Sequence, residues 1–90
     1  MPKVASQRVF TWKNVSLVGE AAGWFTEKID RNRVVLERAN QRIVARRIVG
    51  DNWKVEYYEN GRLEDMVGIT RSGFAKREMA EMAVIKVPFG

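Results

Sequence analysis

Arg33-Val34-Val35-Leu36-Glu37-Arg38-Ala39-Asn40-Gln41-Arg42-Ile43-Val44-Ala45-Arg46-Arg47-Ile48-Val49 admits two readings. As a helix, it would start at an Asn32 N-cap and stop at Gly50. Arg46 would then fall inside a Val35/Leu36/Ala39/Ile43 stripe, while Val34, Ala45, Ile48 and Val49 point elsewhere. Its many β-branched residues also lower helix propensity. As two strands turning at Ala39-Asn40, the stretch sets Leu36 opposite Ile43 and Val34 opposite Ala45. One face then gathers Val34, Leu36, Ile43, Ala45 and Val49, and the strand reading is adopted.

Working outward, β-rich runs at 24–29, 33–38, 42–49, 53–59 and 62–69 are separated by turn signals. These are Asp30-Arg31-Asn32, Ala39-Asn40, Gly50-Asp51-Asn52 and Asn60-Gly61. Strand starts recurring every roughly 9–11 residues mark an antiparallel meander. Three-residue loops at 50–52 and 59–61 keep the faces consistent. They pair Val49 with Trp53, Ala45 with Tyr57, Tyr57 with Leu63 and Trp53 with Val67. A two-residue turn at Asn60-Gly61 would set Glu56 opposite Asp65 and mix the faces, so it is rejected. The apolar face then holds Val34, Leu36, Ile43, Ala45, Val49, Trp53, Val55, Tyr57, Leu63, Val67 and Ile69, with Arg38, Arg47 and Asp65 at its rim.

A helix follows. Thr70 is positioned to cap it, with Ile69 and Phe74 as a hydrophobic staple. Ala75, Met79, Met82 and Ala83 form its apolar stripe. Before residue 24, Arg8–Trp12 reads as a strand, and Val15 to Val18 either extends the sheet or opens a helix reaching Ile29; strands are favoured. A helix there would carry Gly19 and Gly23, at roughly 1 kcal/mol each. The expected fold is α+β: a meander of four to six antiparallel strands over about 24–69, then one C-terminal helix over about 70–84 on the apolar face. An apolar tail, 85–90, completes a single small domain of 90 residues.

Composition excludes much chemistry. The chain has no cysteine and no histidine, so disulfides, Cys/His metal sites and the usual nucleophile–base pairs are ruled out. Gly19-Glu20-Ala21-Ala22-Gly23-Trp24 is neither a phosphate loop nor a dinucleotide fingerprint. Glu56 opposite Glu64 is the only carboxylate pair with acid/base potential; Arg46 beside Glu56 favours a solvated charge lattice instead. No metal, cofactor or enzymatic activity is expected. No apolar run nears the roughly 20 residues of a membrane span, and residues 1–8 lack a signal-peptide core. Asn14-Val15-Ser16 spells a glycosylation acceptor, which means little without export. A cytoplasmic location is expected.

Charge points to a partner. Six arginines (Arg31, Arg33, Arg38, Arg42, Arg46, Arg47) fall within residues 31–47 against one acid, Glu37, and this segment alone carries the chain's net +5. Guanidinium binds phosphate and carboxylate bidentately. In the strand reading Arg33, Arg42 and Arg46 share the polar face with Lys54, Arg62 and Tyr58, while Trp24 stands near one end. Cations beside an exposed aromatic suit single-stranded DNA or RNA, with phosphates held and bases stacked. The expected function is a small basic protein that binds nucleic acid backbone through this face. The competing reading of the face is structural: Glu37–Arg42 and Glu56–Arg46 pairs simply hold the sheet together. The alternative function is a protein-interaction module, a homodimeric regulator of an acidic protein surface. It would use Met79, Met82, Ile85, Val87 and Phe89, because Met side chains adapt readily to partners and small cores gain from association.

Overall fold

The computed structural model describes residues 10–86, with side chains through Val84. The element order is α1 (Trp12–Ala21), β1 (Phe25–Ile29), β2 (Arg33–Arg38), β3 (Gln41–Val49), β4 (Asn52–Glu59), β5 (Arg62–Ile69) and α2 (Ser72–Glu81), which runs on into a π-helical segment, Met82–Lys86. The strands form one antiparallel sheet in sequence order. Both helices cover the apolar face, where Val34, Leu36, Ile43, Ala45, Trp53, Val55 and Tyr57 meet Val15, Ala75, Met79, Met82 and Ala83. The α+β meander is therefore present, with an N-terminal helix in addition.

That helix corrects the strand expected before residue 23; the part of that expectation before Phe10 lies outside the described residues. Thr11 and Asn14 make a capping box. The Thr11 hydroxyl accepts from the Asn14 N–H, and Asn14 Oδ1 accepts from the Thr11 N–H. Gly19, which argued against a helix, is what lets it dock: a Cβ there would lie 2.9 Å from Leu36 Cδ1. Trp24 is buried, and its indole N–H donates to the Ala83 carbonyl.

The β2–β3 register is as expected, with Leu36 opposite Ile43 and Val34 opposite Ala45. The next two hairpins differ. Neither has a three-residue loop. Val49 pairs with Asn52 around Gly50-Asp51, and Glu59 with Arg62 around Asn60-Gly61. Asn60 and Gly61 both take positive φ, 55° and 80°, the requirement of a tight type I′ turn. A β-bulge flanks each turn, Ile48 in β3 before the first and Glu64 in β5 after the second. The residue needed to keep the faces consistent thus sits in the strand rather than the loop. Beyond the bulges the faces survive but pairings move two places, while between bulge and turn Val49 and Leu63 change to the open face and Arg62 to the other. Ala45 lies opposite Val55, Trp53 opposite Ile69 and Tyr57 opposite Asp65. Val49 and Leu63, expected in the core, are 65% and 49% exposed beside the bulges.

At α2 the N-cap is Arg71, without a side-chain cap of its own. Asp51, in the β3–β4 turn, accepts from the Ser72 N–H at 3.2 Å instead. Thr70 does not cap, and Phe74 is exposed rather than stapled. Met79 and Met82, also expected at a partner surface, are fully buried here and serve as core. The Ile85 side chain, Val87 and Phe89 lie outside the described residues.

Candidate nucleic-acid interface

Among the described residues, no element packs on the other face of the sheet. Residues paired across antiparallel strands point to the same side, so the register sorts this face into rows. The first runs Phe25, Glu37, Arg42, Tyr58, Leu63. The second runs Lys28, Val35, Val44, Glu56, Met66. The third runs Arg33, Arg46, Lys54, Gly68.

The middle row is the floor. Val35 and Val44 are 0% and 5% exposed although the helices lie on the opposite side. Among the described residues, the face's own long side chains are what lies over them, stems down and charges up. Glu56 is equally buried. Its carboxylate accepts from Arg46 Nη2 at 3.1 Å and from the Tyr58 hydroxyl at 3.2 Å. Burial, and then the Glu56 charge, push the Tyr58 phenol above its ordinary pKa.

Arg42 is committed. It meets Glu27 at 3.1 Å and Glu37 at 3.5 Å. Glu27 reaches it from a third bulge, in β1 between Thr26 and Lys28. The expected Glu37–Arg42 and Glu56–Arg46 pairs both form, although Arg46 and Glu56 now meet diagonally. Glu56 stands opposite Met66, so the Glu56/Glu64 carboxylate pair does not exist.

The third row is different in kind. Arg33 lies directly opposite Arg46, and Arg46 directly opposite Lys54. Among the described residues only Arg46 of these has a carboxylate partner. Like charges directly opposed destabilise a sheet. Arg33 opposite Arg46 follows from the expected β2–β3 register; the bulge at Ile48 adds Lys54, where the expected β3–β4 register set Arg46 opposite Glu56.

The structure divides the other expected residues. Arg62 is opposite Glu59 at the turn, not beside Tyr58, and shares the helix-covered side with Glu59. Glu59 accepts there from the Tyr57 hydroxyl. Arg38, placed at the rim from sequence, is 5% exposed. Its guanidinium stacks 4.3 Å over Trp24, donates to Gln41 Oε1 and reaches the Ala22 carbonyl at the end of α1. That position suits a cation at a helix C-terminus. Trp24 is thus buried under Arg38 and is not part of the basic face. Arg47 donates to the Gly50 carbonyl and to Asn32 Oδ1, tying two loops together. Arg31 is exposed in the β1–β2 turn.

The face opens at one end into a concavity of about 640 Å³, lined by Arg33, Glu37, Arg42, Arg46, Glu56 and Tyr58 with the turn residues Asn40, Asn60 and Gly61. Its wall is firm: Asn40 Nδ2 donates to Asn60 Oδ1, and the Asn60 N–H to the Asn40 carbonyl.

The chain matches no family model, no curated protein and no solved structure.

What the face can do is therefore read from its own chemistry. Its carboxylates are consumed by Arg42 and Arg46. The charge left over lies at Arg33 and Lys54, on either side of Arg46. Among the described residues, no cluster of acids could hold a metal ion, and no helix is long and apolar enough to cross a membrane. Sequence reasoning missed Phe25, which is 80% exposed at the β1 end of the first row. Its place in an edge strand beside Glu37 follows only from the register.

Proposed function

We propose that the protein binds single-stranded nucleic acid, DNA or RNA, by its phosphate backbone on the open face of the sheet. The observation that carries this reading is the row Arg33–Arg46–Lys54. Opposed cations weaken the free sheet, so the arrangement is useful only when an anion lies across them. Tyr58 and Phe25, in the first row, supply rings on which bases can stack. Single strands suit an open sheet face that offers such rings.

The test is fluorescence anisotropy with labelled oligothymidine and oligouridine at two salt concentrations. Three phosphate contacts give a log–log salt slope of about −2, at roughly 0.7 per contact. Absence of binding to single- and double-stranded DNA and RNA at low salt overturns the reading.

Exposed Phe25 favours a second reading, a regulator docking on an acidic protein surface through the same row. Met79 and Met82 no longer contribute to it, being buried. Under this reading, heparin or an acidic protein binds while neither single-stranded probe does.

A further inference from the structure

Gly68 closes the cationic row. It lies inside β5, directly opposite Lys54. Nothing about the fold requires glycine there. Its φ is outside the left-handed region, and a Cβ would meet no atom within 4 Å. A glycine weakens a strand interior, and away from bulges and bends it is found where a ligand or another backbone comes close. Any side chain at this position would stand next to Lys54 and obstruct the end of the row.

We propose that the bound nucleic acid crosses the β-strands, with its phosphates following Arg33, Arg46 and Lys54 and leaving the sheet over Gly68. This path rests on the nucleic-acid reading above and adds a direction to it. The row from β2 to β5 spans three inter-strand gaps, about 14 Å at roughly 4.8 Å each. The footprint lies near the short end of single-strand site sizes, roughly four nucleotides. Bases extend across the Val35/Val44 floor towards Tyr58, whose hydroxyl on Glu56 pins its ring above that floor.

The strand edges do not offer a competing path for an extended peptide. β1 and β5, the two edges, each carry a bulge and charged side chains, the devices by which sheets prevent strand addition.

The test is a series at position 68 measured with labelled oligothymidine, beside thermal melts of the same proteins. Gly68→Ala and Gly68→Val should melt at or above the wild-type temperature. Binding should weaken in the order Gly, Ala, Val, by about tenfold at Val. The Gly68→Val salt slope should drop by about 0.7, one phosphate contact, as it should in Lys54→Gln. Tyr58→Leu should weaken oligothymidine without changing an abasic oligonucleotide of equal length. If Gly68→Val fails to fold, Gly68→Ala and Lys54→Gln decide.

Folded Gly68 variants that bind like the wild type would overturn the path while leaving nucleic-acid binding intact. A wild type that binds no oligonucleotide defeats the function itself, whatever position 68 does.

Discussion

Neutralising the ends of the cationic row should make the protein more stable. In the double variant Arg33→Gln/Lys54→Gln both repulsions on Arg46 disappear, and no new ion pair forms. Opposed Cβ atoms lie roughly 5 Å apart, and splayed charged tips stand at about 7 Å. Two unit charges at that distance in water repel by about 0.6 kcal/mol. At 10 mM salt, where the Debye length is about 30 Å, most of this survives, giving about 1 kcal/mol for two pairs. For a domain of this size that is a rise of roughly 4–8 °C in melting temperature. At 1 M salt, with a Debye length of about 3 Å, the gain falls to about 0.1 kcal/mol. The assay is circular-dichroism melting of wild type, both single variants and the double at the two salts. Oligothymidine affinity, measured on the same samples, should fall as stability rises. A double variant that melts below wild type at low salt, or gains as much in 1 M salt, would refute the repulsive row.

Three further outcomes follow from the same structure. Arg38→Met should lose about 3 kcal/mol or more, since it removes two hydrogen bonds from a charged group, worth roughly 1.5–3 kcal/mol each, yet leave oligonucleotide affinity unchanged. Denaturant melts beside binding titrations separate this buried arginine from those of the open face. Gly19→Val should destabilise by about 2 kcal/mol in urea, because its side chain is forced against fully buried Leu36 and overpacking carries penalties of roughly 1–3 kcal/mol. Tyr57 and Tyr58 both have pKa values raised above 10.0, first by burial. The folded state therefore holds its phenolic protons more tightly than the unfolded chain. Stability is full below about pH 10 and declines as pH rises past it. Ultraviolet titration should show tyrosinate appearing late in the native protein, and Glu56→Gln should bring Tyr58 forward.

The sheet was legible in the sequence because β-branched alternation and turn residues agreed on which side chains share a face. Register was not legible to the same depth. A three-residue loop and a two-residue turn with a bulge conserve face parity equally, so an apolar-face criterion cannot separate them. Turn chemistry could have: Asn60-Gly61 tolerates positive φ at both positions, which favours the tighter turn. The helix α1 was hidden by a propensity argument that counted Gly19 as a defect. Its tertiary role, letting Leu36 approach, outweighs the helix penalty. The signal that could have revealed it was Thr11 three residues before Asn14, ahead of Trp12, Val15 and Gly19 at helical spacing. Arg38 shows why charge counting overstates a binding face. Nothing local announces that this arginine turns inward onto Trp24, because its partners, Ala22 and Trp24, belong to segments well away in sequence.

The bulges at Ile48 and Glu64 also set where this chain tolerates a change of length. On either side of each bulge the pairings are already those of a regular ladder, Arg47 with Trp53 and Val49 with Asn52 in one case, Tyr57 with Asp65 and Tyr58 with Leu63 in the other. Excising Ile48 or Glu64 would straighten the strand and leave every charged neighbour on the open face where it is. Excising any interior residue between regular pairs would instead turn the remainder of that strand inside out. β3 and β5 thus each hold one residue of slack. A length difference at those two points would be silent for the charge pattern, whereas a length difference two residues away would rewrite it.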